Sequence, residues 1–187
     1  MHITDIATNV FHYLSVFPLP IITLILAFGE DLIAPIPSPV VLGAVGLLAR
    51  TEIQNPISIY LIIIIAAAGK TLSAIFFYTL ADRFEDRLPR SFYKKFGVSH
   101  EKIEQFGEKI SRGRWDDITL FVMRAIPSFP SATVSVAAGF FKTNYKTYVL
   151  ATFLGYLIPS ALYILAGYHG VELVDEAKEI IELIKGF

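Results

Sequence analysis

No cysteine occurs among the 187 residues, so the chain makes no disulfide and offers neither a thiol nucleophile nor a soft-metal ligand. Charge is scarce as well. Only 18% of residues are Asp, Glu, Lys or Arg against 54% hydrophobic ones, and mean hydropathy is +0.57, a balance foreign to soluble domains. Sixteen basic and 17 acidic residues give a formal net charge of -1, so no global positive field invites nucleic acid. Catalytic signatures are missing too. His2, His12, His100 and His169 lack metal-ligand spacing, and no nucleophile elbow, phosphate-cradling glycine loop or redox motif occurs. Together these absences exclude a soluble enzyme and call for no cofactor and no metal. The stretch from Met1 to Phe11 carries Asp5 and no Lys or Arg, unlike the basic start of a signal peptide.

What is present is apolar sequence in blocks: about Val10 to Phe28, Leu32 to Ala49, Ile57 to Ala81, Ile118 to Phe141 and Thr147 to Tyr168. The third has 25 residues and one charge, enough to span a hydrocarbon core of about 30 Å. Pro18 and Pro20 in the first block allow a kink or a short interfacial helix before the span proper. The second block carries Pro35, Pro37, Ser38 and Pro39, and the fourth carries Arg124, Pro127 and Pro130. Prolines this dense cannot sit inside one straight helix, since each removes a donor and clashes with the preceding turn. Two arrangements satisfy the pattern: a pair of kinked spans, or two re-entrant hairpins that each enter and leave by half-helices around a proline turn. Irregular backbone at membrane depth is tolerated only where protein buries it or where it lines a watery cavity. Matching interrupted segments in two halves point to a transporter site at an inverted-repeat interface.

The expected fold is therefore an all-α integral membrane protein: an inverted repeat of two proline-broken re-entrant hairpins with transmembrane helices, plus amphipathic interfacial helices. Residues 1–187 form one membrane domain. Nine of the 16 basic residues lie in the polar segment 82–117, which should be a cytoplasmic amphipathic loop, with Ser99 capping a helix from near His100. With both interrupted blocks re-entrant, the Lys142 to Lys146 link and the N-terminus are cytoplasmic too, and the amphipathic tail 171–187 is outside. Five complete spans would invert these assignments.

Ionisable residues inside apolar blocks are the default functional suspects. Glu30 and Asp31 stand at the opening of block two, Lys70 is central in block three, and Arg124 lies just ahead of the fourth block's proline turn. Arg124 either forms a structural ion pair with Glu30 or Asp31, or meets a lipid phosphate or a gating partner, for which a guanidinium fork is suited. Glu30 is either an interfacial acid or, at the start of a half-helix, a carboxylate able to carry a proton. Lys70 lies too deep to snorkel and should face the interior and pair with an acid, as structure or as relay. Gly43, Gly46, Gly69, Gly139, Gly155 and Gly167 should let helices approach closely.

Gly29-Glu30 to Pro35-Ile36-Pro37-Ser38, followed by Gly46, resembles the first motif of the DedA family, whose shared unit is also called the VTT or SNARE-associated Golgi domain. Arg124-Ala125-Ile126-Pro127 with Ala138-Gly139 resembles its second motif, and Gly69, Tyr78 and Arg83 resemble the region between them, with Ala81 and Asp82 in place of that region's Gly-Arg pair. The resemblance covers 26–168. Pro39 stands where bacterial members often carry an acid, and Pro130 where they carry a second arginine; Gly155 to Ser160 is closer to the archaeal and eukaryotic branch. The resemblance implies facing re-entrant hairpins and movement of lipid between leaflets, as phospholipid scrambling or polyprenyl-phosphate recycling. Glu30 would then be the acidic gate or proton-linked residue; Asp31 and Lys70 are further gate or proton candidates on their place in the apolar blocks alone, not by the motif. Arg124 would attract the lipid phosphate, and Pro35, Pro37, Ser38, Pro39, Pro127 and Pro130 would shape the hairpin tips.

The function expected is a transbilayer lipid transporter, flippase or scramblase, in the cell membrane, with ion coupling left open. A proton- or ion-coupled small-solute exporter and a non-transporting membrane scaffold are the alternatives. Membrane lipids are the expected partners, nucleic acid is not, and self-association into a homo-oligomer is left open.

Overall fold

A computed structural model of the protein describes residues 18–33, 37–52, 57–84, 116–127 and 131–185, the stretch 171–185 by its helical course alone. All of the regular structure among the described residues is helical. It comprises α1 (Leu19–Ile33), α2 (Ser38–Glu52), α3 (Ser58–Phe84), α4 (Asp116–Ala125), α5 (Ser131–Phe140) and α6 (Tyr145–Lys185). The expected loop 82–117, its Ser99 cap, Pro35 and Pro130 lie wholly or mainly outside the described residues.

Two helices are long and apolar enough to cross a membrane, at Ser58–Arg83 and Tyr145–Gly170, 26 residues each. At the helical rise each spans about 39 Å, more than a hydrocarbon core of about 30 Å. The other four are shorter: α1 and α2 have 15 residues each and α4 and α5 have 10, so none exceeds about 23 Å. Outward faces are apolar. On α6 Leu150, Leu154, Ile158 and Leu162 form an exposed stripe at four-residue spacing, and on α3 Leu61, Ile64, Leu72 and Phe76 are exposed. Such a stripe is at ease against lipid and costly against water.

α3 and α6 run antiparallel through the centre. Tyr78 stacks on Tyr148, Lys70 lies over Tyr156, and Ile59, Ile62 and Ile63 share a buried cluster with Ile164. The short helices divide between these two: α1 packs on α3, α2 on α6, α4 on α6 and α5 on α3. Two apolar clusters lie one at each end of the α3–α6 pair, and a third, of Phe77, Ala81, Val136 and Ala137, lies between α3 and α5. Leu42, Val45 and Ala49 of α2 close the first with Ile59 and Ile164, and Leu120, Met123 and Val134 close the second with Tyr78 and Tyr148.

The prolines act where the helices begin and end. Pro37 precedes α2 and accepts Val40 N at 2.9 Å, while Pro39 occupies the first turn, where its missing N–H has no intrahelical partner to lose. Pro127 follows the last turn of α4. Between α5 and α6 the corner is a Schellman turn: Thr143 N donates to Ala138 O at 3.0 Å and Lys142 N to Gly139 O at 3.1 Å, with Lys142 at φ 50. Asn144 then caps α6 through Lys146 N and Thr147 N.

Two sequence expectations are corrected here. Block one was expected to lead into a span of its own, with Pro18 and Pro20 free to kink it; instead it supplies α1, which runs on through Glu30 and Asp31, and both prolines lie at its start. The first broken pair is therefore α1 with α2, not block two folded on itself. Gly29, Glu30 and Asp31 are compatible with helix, so α1 runs on to Ile33, just ahead of the prolines. α6 itself continues for 41 residues from Tyr145 to Lys185 across Pro159.

Close helix crossings depend on glycine. A Cβ on Gly46 would run into the backbone of Ile164 and Tyr168, and one on Gly167 into the backbone of Gly43, whereas one on Gly43 would meet nothing within 4 Å. Gly46→Ala should destabilise by about 1–3 kcal/mol through overpacking at the α2–α6 crossing. Gly43→Ala should be neutral or gain up to about 1 kcal/mol from helix propensity. Thermal denaturation of the two variants in detergent checks the contrast; equal losses would mean that the α2–α6 crossing is not set by Gly46.

Candidate functional site

Lys70 is the thirteenth residue of α3 and Tyr156 the twelfth of α6, so both lie near the middle of the two long apolar helices. Around them a polar cluster is buried in an otherwise apolar interior. Glu30, Lys70 and Arg124 retain 3%, 4% and 2% of their surface, values that charged groups reach only when paired or functional.

Glu30 stands in the last turn of α1, not at the start of a half-helix as the sequence suggested. The helix dipole there disfavours a negative charge, and the compensation comes from α3. Lys70 Nζ makes an ion pair with Glu30 Oε1 and donates to Ser38 Oγ at 2.9 Å, while Ser38 Oγ donates to the same Glu30 oxygen at 2.9 Å. Ser38 is the first residue of α2, so this triad ties α1, α2 and α3 together where the first proline turn lies. Glu30 Oε2 is buried without a partner among the described residues.

Asp31 is half-buried and faces the other pair. It accepts a bond from Ser131 Oγ at 2.8 Å and a long one from Ser73 Oγ at 3.4 Å. Ser131 opens α5 as Ser38 opens α2.

Arg124, in the last turn of α4, is at the helix end that favours a cation. Its Nη1 donates to Ser131 O and to Tyr156 Oη, each at 2.8 Å, and its Nη2 to Ser135 Oγ at 2.8 Å and Tyr148 Oη at 3.2 Å. All four acceptors are neutral. The structural ion pair weighed for Arg124 with Glu30 or Asp31 does not form among the described residues; Asp31 is reached only through Ser131, which links to both. Arg124 Nε is buried without a partner among the described residues. Gly155 lets the arginine in, since a Cβ there would strike Phe121 O and Arg124 Cβ.

Tyr156 joins the two charged centres. Lys70 Nζ lies 5.2 Å and Arg124 Cζ 5.1 Å from its ring centroid, within the range at which a desolvated cation is attracted to an aromatic face. Tyr148 donates to Ala74 O at 3.0 Å while accepting from Arg124, which locks α6 to α3 beside the cluster.

The structure thus assembles Glu30, Asp31, Lys70, Ser38 and Arg124 into one region. Pro37, Pro39 and Pro127 are exposed at the ends of the short helices. Sequence reasoning missed Ser73, Ser131, Ser135, Tyr148 and Tyr156 as site residues. A signal for two of them existed. Ser38 precedes Gly46 by eight residues as Ser131 precedes Gly139, and Tyr156 follows Gly155 as Lys70 follows Gly69.

The profile of the VTT domain matches residues 36–169. That stretch is most of the chain and holds every cluster residue except Glu30 and Asp31. The chain belongs to the VTT-domain family, and with its two apolar crossing helices it is an integral membrane protein. Searches of curated proteins and of solved structures returned no significant match.

Proposed function

We propose that the protein moves phosphate-bearing lipids between bilayer leaflets, their head groups passing through a polar crevice between two re-entrant hairpins, α1–α2 and α4–α5. The reading rests above all on Arg124, a deeply buried cation whose four hydrogen-bond partners are all neutral. A guanidinium kept charged in such a place is a liability to folding and an asset to a passing phosphate. Head-group transfer needs only transient shielding from hydrocarbon while the tails stay in lipid. Tyr156, Tyr148 and the serines at the hairpin tips supply that shielding.

Hairpin re-entry is supported by where the arms begin and end. α5 finishes beside the C-terminal part of α3, where Tyr78 Oη donates to Thr143 O at 2.6 Å, and α4 starts beside Lys146 and Leu150 of α6. α1 starts beside Ile59 and Ile62, and α2 ends with Arg50 over the Tyr168 ring. Each pair then has its inner helix ends (Ile33 and Ser38, Ala125 and Ser131) near mid-membrane and its outer ends on one face. Exchanging the halves maps α1·α3 onto α4·α6 and α2·α6 onto α5·α3, a pairing that an inverted repeat would produce and that supports this reading. The basic segment 82–117 then faces the cytoplasm. The start of α1 and the end of α6 face the opposite side, which differs from the inside N-terminus expected when block one was counted as a span.

The test is leaflet exchange of fluorescent phosphatidylglycerol, phosphatidylcholine and a polyprenyl phosphate in proteoliposomes, with and without a proton gradient. Exchange well above that of protein-free vesicles is expected for at least one of the lipids. No exchange by folded wild type would overturn the proposal. The buried Glu30–Lys70 pair, with Glu30 Oε2 unpartnered, favours the ion-coupled exporter as the second reading; gradient-driven uptake of a soluble solute without lipid exchange would select it. The reading is of a transporter, not an enzyme.

A further inference from the structure

A groove of 370 Å³ opens between α4 and the first turns of α6, with Ile118 and Phe121 on one wall and Lys146, Thr147, Leu150 and Leu154 on the other. Its volume falls within the range of small-molecule sites, about 300–1,000 Å³. The groove is polar at one end only. Lys146 and Thr147 stand at its mouth, next to the α5–α6 corner, and the eight helical steps from Lys146 to Leu154 carry its apolar floor about 12 Å along α6. The inner end is adjacent to Gly155, against which Phe121 O and Arg124 Cβ are packed.

We propose that this groove is a binding site for an anionic phospholipid, one acyl chain lying along Phe121, Leu150 and Leu154 and the phosphate held at Lys146 and Thr147. Two features select this occupant. First, Ile118, Leu150 and Leu154 are exposed on the face that carries the apolar stripe of α6, so the groove opens to hydrocarbon and a chain enters it without crossing water. Second, the charge sits where the head group of such a chain would be. Lys146 is exposed, and the amino-terminal end of α6 adds a partial positive charge. Thr147 brings a hydroxyl donor.

The site deepens the transport reading and rests on it for the membrane setting, because it leads from the membrane surface toward Arg124. Its occupancy does not require leaflet exchange. The two are therefore separable.

The experiment is native mass spectrometry of the purified full chain in non-ionic detergent, titrated with phosphatidylglycerol or phosphatidylcholine of matched chains. Wild type, Lys146→Ala, Leu150→Trp and Arg83→Ala are compared. Lys146 and Leu150 are exposed, so neither change should threaten the fold, and Arg83 is an exposed cation at the same end of the bundle but outside the groove. Wild type should prefer phosphatidylglycerol, and Lys146→Ala should lower its affinity about fivefold, the effect of one membrane-surface cation, with phosphatidylcholine unchanged. Leu150→Trp, which fills the groove, should weaken both lipids. Arg83→Ala should leave the preference intact, and free glycerol phosphate should not compete. An unchanged preference in Lys146→Ala, an equal loss in Arg83→Ala, undiminished binding in Leu150→Trp, or competition by glycerol phosphate would each overturn the site. If wild type exchanges no lipid yet shows the expected pattern, the transport reading fails and the site stands as a resident lipid site.

Discussion

Glu30→Ala should destabilise the detergent-solubilised protein by about 3–5 kcal/mol, and Lys70→Ala by a similar amount, whereas replacing both by methionine should cost much less than either alone. The reason is electrostatic. Each single change strands the opposite charge in a buried site where Ser38 and, for Lys70, the Tyr156 ring are its remaining polar contacts, and breaking a buried pair from one side typically costs that much. Removing both charges and refilling the volume abolishes the desolvation cost, and such replacements are often neutral or stabilising. Ser38 loses its partners in the double variant, a smaller loss because it is only partly buried. Denaturation of the three variants checks the ordering; a double variant as unstable as the sum of the singles would show that the pair is not coupled. The same double variant addresses function. If it is stable but exchanges no lipid, the pair takes part in transport; if it is stable and active, the pair is architecture only.

Arg124→Ala and Arg124→Gln should separate in stability and coincide in activity. In the alanine variant Ser131 O, Ser135, Tyr148 and Tyr156 all lose a donor, and the tie between α4, α5 and α6 goes with them. Bonds to a charged group are worth about 1.5–3 kcal/mol each, but they share one side chain and neighbours relax, so a loss of about 3 kcal/mol is expected. Glutamine restores volume and two donors to a site whose acceptors are all neutral, so the fold should recover a good part of that loss. What it cannot restore is charge. If phosphate is attracted by the guanidinium, leaflet exchange should fall at least about tenfold in both variants, a loss equivalent to about 1.4 kcal/mol. Arg124→Lys, which keeps the charge but not the planar fork, should lie between them and wild type. Exchange by Arg124→Gln at the wild-type rate would make Arg124 a structural tie and nothing more.

By itself the sequence determined the class of protein and the cast of its buried charges. Apolar runs of span length and scarce charge require a bilayer as solvent. Ionisable residues inside such runs are too costly to be incidental, so Glu30, Lys70 and Arg124 could be named from sequence alone. The VTT match over 36–169 agrees with the motif resemblance. The prolines located the breaks because their effect on backbone is local and covalent.

Only the tertiary structure decided who meets whom. That Lys70 takes Glu30, while Arg124 takes two tyrosines and two serines, depends on which face of α3 and of α6 each short helix covers. Sequence periodicity does not encode this, because these helices are apolar nearly all round and show no single core stripe. The same blindness hid Tyr156, whose ring reads as ordinary lipid-facing or core aromatic until Lys70 and Arg124 arrive on it from different helices. It also moved Glu30 from a helix start to a helix end, since nothing in Gly29-Glu30-Asp31 stops a helix that packing on α3 continues to stabilise. Local chemistry sets where a chain can turn. Which buried charge is neutralised, and which is left facing neutral partners, is set by contacts between residues dozens of positions apart.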